Sequence, residues 1–319
     1  MSKQLQFELW QECNSKCKFC YLGKENCYTP NEIKLQSLQN ALDKISDLSI
    51  YKEYDTLSYL GGEFFQGQLN TPEIKSKFME LMKKTAWLYE HNYIKHVWIY
   101  ATLTIGDQKD LYETLNLFNK KDELWILTSY DSIGRFHTPK MLETWQYHMK
   151  NIHNLYPEIK LNTTSILTGD FIEKYLNDNI DIKEFKATYH TNLFLKTTVK
   201  PGHLSHLSKQ EINDKIGNFF PTQERFQEFL FTFYMREGAE EYHNLFSNDL
   251  RADEVRKNYN IDTKRNIKFI RDKQTLEETI DLIDEHIDNL SCGHSTIYQC
   301  YVDSDDCCIC NKQEIGELF

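Results

Sequence analysis

Three cysteines crowd into one short stretch, ELWQECNSKCKFCYLG, where Cys13, Cys17 and Cys20 form the pattern CxxxCxxC and Phe19 stands before the last of them. Cysteine thiolates are the usual protein ligands of iron-sulfur clusters, and a cubane 4Fe-4S cluster has four irons to satisfy. Three protein thiolates leave one iron open. An open iron can bind and activate a substrate, whereas a fully ligated cluster is confined to moving electrons or supporting structure. A strand candidate before the cysteines and a helix start after them make the stretch a short loop on which three side chains can converge. The competing chemistry is a structural zinc site, which normally wants four protein ligands; Cys27 would then be the fourth.

A second short stretch, YLGGEFF, sets Gly61, Gly62 and Glu63 directly after the next strand candidate. Glycines allow close backbone approach, and a carboxylate pairs with an ammonium. Read alone, GGE is a tight turn. A further thiol-rich segment, SCGHSTIYQCYVDSDDCCICNK, gathers Cys292, His294, Cys300, Cys307, Cys308 and Cys310 near the end of the sequence, and no cysteine lies between Cys27 and Cys292. In a reducing compartment such groups more often hold metal than form disulfides. Cys307 and Cys310 have the two-residue gap that suits one metal ion, with Cys292 and Cys300 as the remaining pair and Cys308 or His294 as substitutes. The alternatives there are a tetrahedral zinc site and an auxiliary iron-sulfur cluster. Only the cluster could change redox state, which zinc cannot.

The elements that must position these groups are legible in outline. Thr29-Pro30, Thr71-Pro72 and Thr138-Pro139 each offer a hydroxyl cap followed by proline at a first helical position. Glu32 is placed to complete a capping box with Thr29, and Thr275 with Glu278 forms another. Leu35, Leu38, Leu42 and Ile45 recur at helical spacing, as do Leu142, Trp145, Met149 and Ile152. Strand candidates are 5–10, 55–60, 96–103, 123–130, 160–167 and 192–199, most of them separated by helical patterns, notably 72–90, 108–119 and 138–154. A strand-helix alternation repeated six times predicts an α/β fold with a parallel sheet covered by helices. This is a partial (βα)6 barrel of the TIM type, with loops at the strand C-terminal ends available for chemistry. After residue 200 the regularity weakens, although 219–233 reads as a capped helix with an aromatic face.

Composition narrows the class. A chain of 319 residues buries a substantial core. It carries no apolar run of membrane-spanning length and no signal-like start, so a soluble, cytoplasmic protein is expected. A net charge of −11 disfavours an extended grip on nucleic acid, which depends on Lys and Arg neutralising phosphates.

With both motifs and the alternation in hand, the sequence resembles the radical S-adenosylmethionine (radical SAM) superfamily. The resemblance rests on CxxxCxxC with an aromatic residue before the last cysteine, on GGE after the second strand candidate, and on the six-fold pattern over roughly residues 5 to 200. It implies a 4Fe-4S cluster on Cys13, Cys17 and Cys20 whose open iron chelates S-adenosyl-L-methionine. One-electron reduction then yields methionine and a 5'-deoxyadenosyl radical, which abstracts hydrogen from a substrate; binding, orientation and exclusion of water fall to the protein. The resemblance also implies that Gly61, Gly62 and Glu63 contact the cofactor's amino group, that Ser129 and Arg135 contact its ribose and carboxylate, and that Tyr21 borders its adenine. Ser132 and Ile133 intervene before Gly134, a departure from the commoner DG form of that region. A reductant such as flavodoxin or ferredoxin is implied as partner. Residues 1–200 would form the barrel and 201–319 a substrate-side extension that carries the second cysteine group as a lid. Such an extension is reminiscent of peptide- and protein-modifying members, so a peptide or protein substrate is expected. The alternatives are a small molecule, such as a nucleoside or base precursor, and a non-catalytic iron-sulfur protein that transfers electrons.

Overall fold

A computed structural model describes residues 4–241 apart from 16, 21–27, 67–70, 105–107, 132–133, 198–203, 205 and 239–240. Tyr21, Cys27, the second cysteine group and the Thr275–Glu278 helix start lie outside the described residues.

Short runs of β-branched and aromatic residues form the strands β1 (Gln4–Glu8), β2 (Thr56–Leu60), β3 (His96–Tyr100), β4 (Leu124–Ser129), β5 (Lys160–Leu167) and β6 (Thr191–Thr197). They make one six-stranded sheet in strictly sequential order. Each pair from β1 through β5 is parallel, with Leu57 opposite Leu5 and Val97, and Ile126 opposite Ile99 and Leu161. The helices are α1 (Asn31–Ser46), α2 (Pro72–Glu90), α3 (Lys109–Leu115), α4 (Pro139–Leu155), α5 (Gly169–Leu176), α6 (Ile182–Tyr189), α7 (Lys209–Ile216) and α8 (Gln223–Glu237). Right-handed crossovers between sequential parallel strands put successive helices on one face of a sheet. Accordingly Leu57, Tyr59, Val97, Ile99, Leu124 and Ile126 share a single apolar core with Leu38 and Ile45 of α1, Phe78 and Met82 of α2, Leu111 and Leu115 of α3, and Trp145 and Met149 of α4. Both helical stripes read from the sequence therefore face the sheet.

The helix starts differ in detail. Thr71 and Thr138 cap as expected, their hydroxyls accepting from Ile74 N and Met141 N, each at 3.3 Å. Thr29 does not. Pro30 takes the N-cap position with extended backbone (ψ 143°), so α1 begins at Asn31 without a side-chain cap, and the capping box with Glu32 is absent.

The described residues fall into two compact units, one built on Met1–Thr164 with Ile182–Leu193, the other on Ser165–Asp181 and the residues from Phe194 on. In the second unit α5 and α8 are joined by Arg225 Nε donating to Glu173 Oε1 at 2.6 Å and by Tyr175 against Phe229, ring centroids 5.2 Å apart. α8 starts at Gln223, later than the 219–233 reading, because Thr222 supplies its cap and accepts from Arg225 N at 3.3 Å. No described helix is long and apolar enough to cross a membrane.

At the strands' N-terminal ends in the first unit, Glu123 gathers Lys160 of β5, Trp125 of β4 and His96 of β3. Burial pushes its carboxyl up, but the hydrogen bonds from these three outweigh that and hold it below the usual carboxylate range. A depressed folded-state value contributes stability above the ordinary glutamate pKa, and that contribution is lost as pH falls through the lowered value. Glu123→Gln is therefore expected to cost about 1 kcal/mol near neutral pH and nothing in acid. Urea unfolding of both proteins across that pH range checks this.

Candidate metal centre

The site begins where β1 ends. Past Glu8 the chain keeps company with the turn that follows β2: Leu9 N donates to Leu60 O at 3.2 Å, Gly62 N to Trp10 O at 2.8 Å, and Glu63 N to Glu12 O at 2.9 Å. A Cβ on Gly61 would lie 2.2 Å from Trp10 O, and one on Gly62 would lie 2.0 Å from Glu12 O. No side chain fits at either place. The close approach that these glycines permit is thus to the chain's own residues 10–12, directly before Cys13. Trp10 Nε1 donates to Glu63 O and Gln66 Nε2 to Glu12 O, both at 3.1 Å.

Helix α1 adds a buried ion pair. Lys34 reaches the Glu12 carboxylate with the two side chains only 1% and 9% exposed, and its ammonium lies 5.5 Å from the centroid of the Trp10 ring. Four residues before Leu38, Lys34 stands on the helix face that meets the core, which is why its charge is delivered inward.

The segments after β3 and β4 hold the rest of the cysteine loop. Leu103, buried at φ +57°, turns the chain after β3. The Thr102 and Thr104 hydroxyls on either side of it lie 3.1 Å apart, and Thr104 meets the Ser15 hydroxyl at 3.2 Å. After β4, Lys18 N donates to Gly134 O at 3.0 Å and the His137 Nε2 to Ser15 O at 2.9 Å. Gly134 has φ +77°, and a Cβ there would come within 3.0 Å of the Phe19 ring. The loop is therefore clasped by segments from the C-terminal ends of β2, β3 and β4, the edge of a parallel sheet where ligands ordinarily bind.

Cys13, Cys17 and Cys20 are partly buried and form no disulfide. Burial pushes the Cys13 thiol up to about 11 against hydrogen bonds with Ser15, and the charges of Glu63 and Cys17 act in the same direction as burial. Burial also raises Cys17, opposed by the Arg135 guanidinium and reinforced by Asp131 and Cys20. Each thiol thus feels a neighbouring one. Among the described residues no group of three or more His, Cys, Asp or Glu side chains is placed to hold a metal ion. The donor set itself suits a thiophilic cluster: three thiols on one loop, which a bound metal would deprotonate.

Glu63 is fully buried. Its Oε1 accepts from Phe65 N at 2.9 Å and its Oε2 from Thr102 N at 2.6 Å. Burial raises its pKa, opposed by the hydrogen bonds from Thr102 and Phe65. A buried carboxylate held by N–H donors, with no cationic side chain bonded to it among the described residues, is electrostatically incomplete.

Of the other residues singled out in the sequence, Ser129 closes β4 opposite Thr164 of β5. Arg135 Nε donates to the buried Asp131 Oδ2 at 2.8 Å, and its guanidinium lies 5.8 Å from the centroid of the Phe19 ring. Cys13, Cys17, Cys20, Gly61, Gly62, Glu63 and Arg135 thus lie on neighbouring segments, with the three thiols not placed as a metal-holding group. Glu12, Lys34, Gln66, Thr102, Thr104 and His137 support the same loop and were not foreseen. Lys34 could have been found from its place in the α1 stripe; the threonines carry only the weaker signal of following a strand.

Against this geometry, no protein-family model and no curated protein matches the chain.

The glycine contacts yield a direct test. Gly62→Ala forces residues 10–12 away from the β2 turn and is expected to destabilise the protein by about 1–3 kcal/mol, the usual cost of overpacking. Urea unfolding measures it.

Proposed function

We propose that the chain is a radical S-adenosylmethionine enzyme built on a partial (βα)6 barrel. Strictly sequential strand order, parallel pairing and helices on one sheet face in the first unit support the barrel reading. Cys13, Cys17 and Cys20 would hold a 4Fe-4S cluster. When bound, that cluster supplies one electron to a chelated S-adenosylmethionine, with flavodoxin or ferredoxin as the source of the electron.

The observation that carries the reading is Glu63, a fully buried carboxylate near the first thiol, bonded among the described residues only to N–H and hydroxyl donors. The ammonium of an amino-acid ligand would complete it. Around that contact the chain's own residues have defined tasks. Gly61 and Gly62 hold residues 10–12 against the β2 turn, and with them the approach to Cys13. Thr102 N and Phe65 N fix the Glu63 carboxylate so that it need not reorganise when a cation arrives. Cys292, Cys300, Cys307 and Cys310 would hold zinc or an auxiliary cluster in a C-terminal substrate-side segment, and on that segment rests the proposal of a peptide or protein substrate.

The full chain, reconstituted anaerobically with iron and sulfide and reduced with dithionite, is expected to convert S-adenosylmethionine to 5'-deoxyadenosine and methionine. Cys17→Ala abolishes this conversion. Glu63→Gln retains its iron but binds the cofactor about tenfold or more weakly, since a hydrogen bond to a charged group is worth roughly 1.5–3 kcal/mol. Cofactor affinity unchanged in Glu63→Gln, or conversion retained in Cys17→Ala, would contradict the assignment.

A further inference from the structure

The surroundings of Arg135 point to a part beyond the one that the family resemblance gives it. On that resemblance its guanidinium is spent on the cofactor's carboxylate. In the structure it belongs to the cysteine loop. Its side chain is only 13% exposed and that of its partner Asp131 only 1%. The guanidinium lies against Phe19, the residue before Cys20. The backbone on which it rides is tied to that loop from both sides, Gly134 O accepting from Lys18 N and His137 reaching Ser15 O. Among the described residues the bond to Asp131 is the only side-chain hydrogen bond that Arg135 makes, so its Nη donors stay uncommitted.

We propose that Arg135 is an electrostatic positioning residue of the three-cysteine centre, raising that centre's reduction potential, and that Asp131 opposes and trims the effect. The inference rests on the proposed 4Fe-4S cluster. A partly buried, permanently charged group close to a centre that gains an electron stabilises the reduced form, and the interior screens this far less than water does. A neighbouring buried carboxylate does the reverse. The two members of one ion pair therefore have opposite predicted effects, which general damage to the loop cannot imitate.

The test is an EPR-monitored redox titration of the reconstituted full chain without cofactor, following the signal that responds when S-adenosylmethionine is later added. Arg135→Gln is expected to shift the midpoint potential down, Asp131→Asn to shift it up, and Arg135→Lys to leave it near the wild-type value. Cofactor affinity, measured on the same samples, is expected to fall less than tenfold in Arg135→Gln. A midpoint unchanged in both charge-removing variants, or shifted the same way in both, overturns the proposal. An unchanged midpoint with cofactor affinity lost would return Arg135 to the carboxylate role. Wild-type protein that assembles no cluster would overturn the functional reading itself, a result separable from these because it needs no variant.

Discussion

Everything in the site is referred to one backbone contact, the lie of residues 10–12 against Gly61–Glu63. Two carbonyls of the first segment accept from two amides of the second, at a separation that excludes a Cβ on either glycine. This contact carries the parallel pairing of β1 and β2 past the end of the sheet and sets the direction in which the chain enters the cysteine loop. The Glu12–Lys34 pair pins the same segment to α1. Removing one member of a buried pair leaves an uncompensated charge at a cost of about 3–5 kcal/mol, so the entry to the loop is held from two sides.

Electrostatics then divides the buried charges of the site into two kinds. Lys34 neutralises Glu12, and Arg135 is paired with Asp131. Among the described residues no cationic side chain is bonded to Glu63, whose partners are N–H and hydroxyl donors. Burial raises Glu63, Cys13 and Cys17 together, so the protein alone disfavours the ionised forms that metal and cofactor binding require. Cations supplied from outside would relieve this: iron at the thiols and an ammonium at the carboxylate. By contrast, the Glu123 cluster at the other ends of the strands is satisfied within the chain and serves stability.

Much of this was legible in the sequence, because the strongest signals are local. β2, β4 and β5 lie within a residue or so of their expected bounds, and α2 matches throughout, its start marked by Thr71, which caps it as Thr29 does not cap α1. Discrepancies arise where tertiary contacts override local preference. The expected strand 96–103 stops at Tyr100, because Leu103 adopts a positive φ and Thr102 turns its amide to Glu63. Its β-rich composition conceals a turn that serves the site. Helix α7 falls after residue 200, where the alternating pattern weakens, although Ser208 and Glu211 form a complete capping box that marks its start. The GGE motif was found, yet its glycines meet the backbone before Cys13, a contact between segments far apart in sequence that spacing alone does not disclose.

The central claim is an iron left open among three cysteine-bound ones. Mössbauer spectroscopy of the anaerobically reconstituted protein, recorded before and after S-adenosylmethionine is added, addresses it without any turnover. The account predicts that one iron of the N-terminal cubane changes its spectrum when the cofactor arrives while its neighbours keep theirs. A spectrum that the cofactor leaves untouched, or protein that takes up no iron on Cys13, Cys17 and Cys20, would contradict it.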